Sequence, residues 1–170
     1  CALPIFRKNL ALAAILALLG CAVAAPVAAE EASAPKPSVR VEVGKPVQAA
    51  LELLKSKQGQ EALAKLKEAE AVAARTPFET YVIDRIKGQA LAMSGDVLAS
   101  AQAFEAAAGS SVAPLADKLP LLAAAIGQYY TAKDYRKAAA VAALYEQTGG
   151  KDEGVHSLRV RSLFLAGDYP

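Results

Sequence analysis

Small and hydrophobic residues recur at helical spacing along most of the chain, from Val43 onward. Three sets share an i, i+4, i+7 pattern: Ala62, Leu66 and Ala69; Ser100, Phe104 and Ala107; Ala138, Ala142 and Tyr145. Residues so spaced lie on one helix face, where small side chains let two helices approach closely. The pattern predicts paired amphipathic helices, and the late position of the large residue in the third set predicts different packing there. Two further small–large pairs precede the turns: Gly88 with Leu91, and Gly127 with Tyr129.

Turn signals separate these helices at nearly regular intervals. They lie near Lys57, at Gly95-Asp96, at Lys133-Asp134 and at Gly167-Asp168, so that successive turns are 38, 38 and 34 residues apart. A period of this length that contains two helices is typical of repeat proteins whose hairpins stack into a solenoid. An unrelated alanine-rich bundle would explain the amphipathic helices but not the recurring turns.

The predicted helix starts carry recognisable capping residues. The stretch TPFE at residues 76–79 has the pattern of a capping box, with proline at the first helical position. Asp152 is predicted to cap the helix that follows it. Pro120 is predicted to lie in a first helical turn, where proline is tolerated.

The spacing resembles the tetratricopeptide repeat (TPR). The closest unit covers residues 81–109, and the stretches AKDYRKAA and LAGDYP resemble the turn between the two helices of a TPR unit. Lys57 stands where the family often has glycine, no unit has the early tryptophan, and two connections are four residues longer than usual. The family's small and large places in the closest unit are filled by Gly88, Leu91, Gly95, Asp96, Ser100, Phe104 and Ala107.

The resemblance implies an all-α, TPR-like α-solenoid of antiparallel helix hairpins over residues 44–170, with about three and a half repeats. The stretches EVGKPVQAA and TPFETYVIDR are also similar to the N-terminal repeat regions of exported bacterial proteins. Only Tyr169 and Pro170 follow the last turn, so we expect the sequence to stop partway through a fourth hairpin. Leu158, Leu163 and Phe164 should then be more exposed than in a complete repeat domain.

Residues 1–29 have the features of a secretory signal, because two basic residues precede an apolar run that ends in small residues. Residues 18–21, LLGC, resemble a lipobox in which Cys21 would be acylated, whereas A-x-A-like stretches further on favour ordinary cleavage. An uncleaved anchor is a third alternative, since residues 10–29 carry no charge and are just long enough to span a bilayer. All three predict a periplasmic or exported protein, including an outer-membrane lipoprotein, in which residues 30–43 form an Ala/Pro-rich linker.

Composition narrows the possible functions. The 170 residues include 19 basic and 17 acidic ones, and two of the basic residues lie in the predicted signal. The remainder is neutral and has no Lys/Arg block of the kind that nucleic-acid binding needs. Hydrophobic residues make up 54%, but many are alanine and only 6% are aromatic, which favours a thin-cored helical domain over a sheet. Cys1 and Cys21 are the two cysteines, so the predicted domain has no disulfide and no thiolate ligand.

Few residues point to catalysis. His156 is the one histidine, and a metal or acid–base site would need partners that the sequence does not offer it. The stretch TGGKDEG at residues 148–154 lacks the spacing of a phosphate-binding loop and is predicted to connect two helices. The alternating charges of residues 65–71 are typical of a solvated helix face. We expect no enzyme activity, no cofactor and no metal.

The predicted functional surface is the concave face formed by the first helix of each hairpin. Arginine and aromatic side chains are common anchors at interfaces, and methionine adapts to varied shapes. The residue types at Arg85 and Gln89 differ from those of the peptide-terminus clamp of some TPR proteins, so that activity is not transferred. The predicted contact residues are Arg85, Gln89, Met93, Tyr130, Arg161 and Phe164.

The sequence therefore predicts a non-enzymatic protein–protein interaction scaffold in the bacterial cell envelope. Its partner would be a protein or a peptide rather than nucleic acid, and it would touch the membrane only through the N-terminal signal or a lipid on Cys21. Two alternatives stay open. In the first, the chain would be the N-terminal accessory domain of a longer envelope enzyme or secretion component. In the second, it would be a structural envelope protein without a dedicated partner.

Overall fold

A computed structural model describes residues 38–168, and within this range the chain forms seven α-helices and no strand. The predicted all-α class is confirmed. The first helix begins before the predicted domain start at residue 44, and Val43 in its first turn is buried. The predicted signal, including Cys21, lies outside the described residues. The helices are α1 (Val41–Lys55), α2 (Gly59–Glu70), α3 (Pro77–Ser94), α4 (Val97–Gly109), α5 (Leu115–Thr131), α6 (Tyr135–Gln147) and α7 (Glu153–Ala166).

Helices that follow one another in the chain pack against one another. Each of α1 to α6 contacts the next helix, and in addition α1 contacts α3 and α5 contacts α7. Contacting helices joined by short connections form helical hairpins. The first helices of the predicted hairpins are therefore α1, α3, α5 and α7.

Four helices end in the same type of turn. Lys57, Gly95, Lys133 and Gly167 all adopt left-handed backbone conformations, with φ of 59°, 85°, 63° and 76°. In each turn the N–H of this residue donates to the carbonyl three residues earlier, and the next N–H donates to the carbonyl five residues earlier. This is the Schellman arrangement, which satisfies carbonyl groups that the last helical turn leaves open. The four turns predicted from the sequence are confirmed, and Gly149 ends α6 in the same way.

The helix starts predicted at the 76–79 capping box and at Asp152 are confirmed in their hydrogen bonds, and Asp96 and Asp134 cap α4 and α6 in the same way. Asp96, Asp134 and Asp152 each accept the backbone N–H three residues further on, at 3.0 to 3.1 Å. Thr76 and Glu79 form the reciprocal capping box, with N···O distances of 3.1 Å and 2.8 Å. Each of these bonds satisfies an N–H at or just before the start of a helix that has no partner within the helix.

Pro120 lies further into its helix than the sequence predicted. It lies in the second turn of α5, which begins at Leu115, so the prediction of a first-turn position was wrong. Without an N–H, Pro120 cannot bond the carbonyl of Ala116 in the usual helical way. Pro46 occupies the corresponding place in α1.

The buried hydrophobic residues form two clusters, which we call the first and second clusters. The first is aliphatic and comes from α1, α2 and one side of α3: Val43, Val47, Ala50, Leu54, Ala62, Leu66, Ala69, Ile83, Ile86 and Ala90. The second runs from the other side of α3 to α7 and contains the buried rings of Tyr81, Phe104, Tyr129 and Tyr145. All three small–large sets predicted from the sequence are buried.

Three glycines show how closely the second-cluster rings approach the backbone. A Cβ on Gly88 would come within 2.6 Å of the Phe104 ring, whereas a Cβ on Gly127 would have no neighbour within 4 Å. Tyr145 instead packs over Gly150, in the connection between α6 and α7. The different packing predicted for the third small–large set is therefore present. Gly127, unlike Gly88, has no aromatic ring packed over it.

Candidate functional site

A groove lies between α3 and α5, which are the first helices of two successive predicted hairpins. Its volume is about 390 Å³. The ring of Phe104, from α4, forms part of its floor. Along its walls are Arg85 and Gln89 of α3 and Asp117, Pro120, Leu121 and Ala124 of α5. We call this the α3–α5 groove.

An ion pair joins the two walls of the groove. The Arg85 Nη1 atom lies 3.1 Å from the Asp117 Oδ2 atom, and the two side chains are 41% and 34% exposed. The Tyr81 hydroxyl donates to the same carboxylate oxygen, and the Arg85 guanidinium lies 5.9 Å from the centre of the Tyr81 ring. Burial, followed by the hydrogen bond to Asp117, raises the pKa of Tyr81, so its hydroxyl remains a donor at neutral pH. Arg85 is therefore positioned by two neighbours while part of its guanidinium stays accessible.

The remainder of the groove combines an apolar floor with one exposed amide. Phe104 and Leu121 are 7% and 6% exposed, and the Gln89 side chain is exposed beside them. Sites of this kind recognise ligands by apolar contact and fix their orientation through a few polar groups. No group of three or more His, Cys, Asp or Glu side chains within residues 38–168 is arranged to hold a metal ion.

The structure brings two of the six predicted contact residues into this groove, Arg85 and Gln89. Met93 is 45% exposed, and its Cβ would lie 3.2 Å from a Cβ placed on Gly59, which puts it beside the start of α2. Tyr130 is half-buried against the second cluster, with its ring centre 5.5 Å from that of Tyr135. Arg161 and Phe164 are exposed on α7.

Asp117 is the groove residue that the sequence did not single out. It follows Arg85 by 32 residues, nearly one repeat period, and it is the acidic residue of the first turn of α5. Acidic residues are common in first helical turns because they interact favourably with the helix dipole. Because an acidic residue is ordinary at this position, the sequence did not indicate that Asp117 pairs with Arg85 of α3.

Glu79 is the most deeply buried ionisable side chain of the described residues, but its partners are structural. Its carboxylate accepts the Nε and Nη2 groups of Arg40, both at 2.8 Å, and the backbone N–H groups of Arg40 and Thr76, at 2.9 and 2.8 Å. The bond to the Arg40 side chain is the main reason that the pKa of Glu79 falls to about 2. A carboxylate held in this state by four donors is a poor proton acceptor. Its role is to lock the start of α1 to the start of α3.

His156 has a partner that the sequence did not predict. Its Nδ1 atom lies 3.0 Å from one oxygen of Glu146, and Arg159 donates to the other oxygen at 2.5 Å. The hydrogen bond with His156, followed by the Arg159 charge, lowers the pKa of Glu146. These contacts join α6 to α7 and leave the His156 side chain 65% exposed. His156 is therefore an exposed residue of α7 that pairs with Glu146 of α6.

No helix among residues 38–168 has the length and apolar character needed to cross a membrane. Comparison of the chain with protein-family models, with curated proteins and with solved structures found no match.

Proposed function

We propose that this chain is a TPR-like α-solenoid scaffold of the bacterial cell envelope, which binds an extended segment of a protein partner in the α3–α5 groove. The α3–α5 groove is the observation on which the proposal depends. It lies between the first helices of two hairpins, which is where the TPR resemblance predicts a binding face. The recurrence of one turn type at Lys57, Gly95, Lys133 and Gly167 supports the repeat architecture.

Binding in this proposal depends on contact and not on a bond-making step. Arg85 and Asp117 offer one positive and one negative group, and the Gln89 amide can pair with the backbone of an extended chain. Phe104 and Leu121 provide an apolar floor for a side chain of the partner. Because Tyr81 already positions Asp117 and Arg85, little side-chain freedom is lost on binding.

A photocrosslinking experiment tests the groove. A benzophenone amino acid replaces Gln89 in the protein produced in its own cells, and a matched variant carries it at Gln102, an exposed glutamine of α4 that does not line the groove. We expect a discrete crosslinked partner from position 89 alone. Equal products at both positions, or none at 89, would contradict the proposal.

Variants of the ion pair sharpen this experiment. Arg85→Ala should remove the crosslink at position 89, because it removes the accessible cation of the groove. Arg136→Ala is a matched control, since Arg136 is 77% exposed, makes only a 3.6 Å ion pair and lies outside the groove. Loss of the crosslink in both variants, or in neither, would show that Arg85 has no specific part in binding.

The envelope location is tested separately. The proposal has the scaffold exported through residues 1–29, either as a free protein or tethered by a lipid on Cys21. Mass spectrometry of the N-terminal peptide from membrane and soluble fractions distinguishes an acylated Cys21 from cleavage further along the chain. An unprocessed N-terminus in the cytosolic fraction would contradict export.

A further inference from the structure

A second pocket, with a volume of about 450 Å³, lies between the first half of α3 and the end of α4. From α3 it is lined by Pro77, Tyr81 and Asp84, which their i, i+4, i+7 spacing places on one helix face. Gly109 and Ser110 line it at the end of α4. The pocket shares no lining residue with the α3–α5 groove, so it is a separate surface. We call it the α3–α4 pocket.

Asp84 is the one carboxylate of residues 38–168 that is partly buried without a hydrogen bond or an ion pair. The other partly or fully buried carboxylates of this range all have partners, as Asp117 has Arg85. A partly buried carboxylate without a partner is unfavourable, because it has lost water and gained no donor or opposite charge in return. The remaining unpaired carboxylates of the range are exposed to water: Glu42, Glu61 and Glu153.

The charges near Asp84 do not replace such a partner. Burial is the main reason that the pKa of Asp84 is raised above its usual value. The charge of Lys87 lowers this pKa, but Lys87 is paired at 2.7 Å with Glu70, whose own charge raises it again. Arg75 also lines the pocket, and its charge has the smallest of these effects on Asp84. The Asp84 carboxylate is therefore open to a cation from outside the described residues.

The end of α4 adds hydrogen-bond acceptors to the pocket. Among the seven described helices, α1, α3, α5, α6 and α7 end in Schellman turns, and carbonyls at the end of α2 accept from the Arg75 guanidinium. In the described part of the chain α4 has neither arrangement, since Ser110 is extended and its N–H donates to Ala107 at 3.3 Å. The last turn of α4 also lacks a basic residue. Its carbonyl end, which carries the negative end of the helix dipole, is therefore open.

The first two hairpins differ at one equivalent position. Arg75 lies 18 places after the left-handed Lys57, and Ala113 lies 18 places after the left-handed Gly95. An alanine side chain cannot donate to a carbonyl, so the second hairpin lacks the group that covers the helix end in the first. A cation bound in the α3–α4 pocket would supply the missing donors.

An alkylammonium group suits this combination of acceptors. A single carboxylate is too few to hold a calcium or magnesium ion in a site made by the protein. An ammonium has three donors that point in different directions, which fits a carboxylate on α3 and carbonyls on α4, whereas a guanidinium is planar. Pro77 and Ala106, which are both exposed and line the pocket, offer apolar contact to the methylene stem.

We propose that the α3–α4 pocket binds a primary ammonium group on an apolar stem, which pairs with Asp84 and donates to the open carbonyls at the end of α4. Two sources can supply this group, a lysine side chain of a polypeptide and a free alkyl diamine. The site does not depend on the α3–α5 groove and needs no partner bound there.

An amide NMR titration of the intact, isotope-labelled protein tests the proposal with two probes, a lysine blocked at both backbone ends and 1,5-diaminopentane. The shifts of Gly109 and Ser110 should saturate, and the tighter of the two probes identifies the source as a polypeptide side chain or a free amine. Blocked norleucine, which has a similar stem without the ammonium, should give no saturable shift. Equal binding of norleucine, tighter binding of blocked arginine, or no saturation with either amine would overturn the proposal.

Two variants test whether Asp84 holds the ammonium. Asp84→Asn keeps the size of the side chain and removes its charge, so binding of both amines should weaken about tenfold or more. Glu61→Gln is the matched control, because Glu61 is also unpaired but lies on α2 outside the pocket, and its variant should bind like the wild type. Equal affinities in Asp84→Asn and the wild type would overturn the proposal.

Urea unfolding of the same variants separates binding from folding. Asp84→Asn should unfold at the same urea concentration as the wild type or a higher one, since it removes a partly buried charge that has no partner. A midpoint below that of Glu61→Gln would assign the Asp84 carboxylate to the stability of the fold and would contradict its role as a ligand group.

Discussion

The two clusters pack similar alanine-rich helices with different large side chains. The first cluster is aliphatic, and its edge is closed by the Arg40–Glu79 lock between α1 and α3. The second cluster uses rings, and two of its tyrosine hydroxyls donate to acidic side chains, Tyr81 to Asp117 and Tyr129 to Glu105. Aromatic rings bury a large area per residue, and a tyrosine can also place a polar group at the edge of a cluster.

This difference explains where the groove lies. At the edge of the first cluster the Glu79 carboxylate is fully buried, and the donors around it, from Arg40 and Thr76, hydrogen-bond to it. This polar contact therefore offers nothing to a ligand. In the second cluster the tyrosines carry polar contacts outward, so that Tyr81 presents Asp117 and Arg85 at the wall of the α3–α5 groove. The aromatic cluster thus supports the candidate site, and the aliphatic cluster supports the start of the domain.

Removing one isoleucine from each cluster tests whether the clusters are separate units. Ile86 and Ile126 are both fully buried, in the first and second clusters respectively. Truncation to alanine at either site should lower the free energy of unfolding by about 2–5 kcal/mol. Because α3 contributes to both clusters, we expect each variant to unfold in a single urea transition. Circular dichroism measures this transition.

Hydrogen exchange provides the control for the two isoleucine variants. In the Ile126→Ala variant, amide protection should fall in α1 and α2 together with α5 and α6. If α1 and α2 kept their full protection while α5 and α6 lost theirs, the clusters would be independent folding units and the shared role of α3 would be wrong.

Two glycines test how tightly the rings of the second cluster are packed. Gly88→Ala should lower the free energy of unfolding by up to about 2 kcal/mol, since overpacking under Phe104 costs about 1–3 kcal/mol and the helix propensity of alanine returns up to about 1 kcal/mol. Gly127→Ala is the matched control and should stabilise the domain by about 0.5–1 kcal/mol, because no atom lies within 4 Å of the new methyl group. Thermal unfolding of the two variants, scanned side by side, measures both effects. An equal shift for both would show that Phe104 moves aside freely.

The lock of the first cluster should make stability depend on pH. The pKa of Glu79 falls from its ordinary value of 4.5 to about 2 on folding, so the unfolded chain binds the proton more readily. The stabilisation is complete above about pH 4.5 and is lost as the pH falls through about 2. Urea midpoints measured between these values should fall with decreasing pH in the wild type and less steeply in Glu79→Gln. A steep fall that persists in Glu79→Gln would assign the effect to other carboxylates.

The smallest expected effects come from the two lysines with positive φ, one in the hairpin of each cluster. Lys57→Gly and Lys133→Gly should each stabilise the domain by up to about 1 kcal/mol, because the left-handed conformation strains a residue with a Cβ. Gly95→Ala should destabilise the domain by a similar amount. Chemical denaturation resolves these changes, and a loss of stability in either lysine variant would mean that its side chain makes a contact worth more than the strain.

The turns could be predicted from the sequence because their information is local. Gly95-Asp96 and Gly167-Asp168 combine a glycine that tolerates positive φ with an aspartate, Lys133-Asp134 resembles them, and the period was counted from these turn positions. The Arg40–Glu79 lock could not be predicted in this way, since 39 residues separate its partners and Arg40 fell within the predicted linker. The pairing of Arg85 with Asp117 depends in the same way on how α5 packs beside α3.

The spacing of residues in the sequence also could not predict the surroundings of individual residues. Gly88 and Gly127 look alike in the sequence, yet only Gly88 lies under a ring, because the residue above it belongs to another helix. Met93 shares a helical stripe with Arg85 and Gln89 but lies beside the start of α2 instead of in the groove. Spacing along one helix predicts a face, but the neighbouring helices determine what that face meets.

The packing of each helix against its nearest neighbours in the chain also has a consequence for folding kinetics. The larger contacts join helices one or two places apart, so most native contacts form between residues close in sequence. Domains with such local contacts fold within microseconds to milliseconds. We expect each hairpin to form soon after it is synthesised. The α1–α2 hairpin is the exception in one respect, because the start of α1 stays unlocked until α3 has been made and Glu79 can bind Arg40.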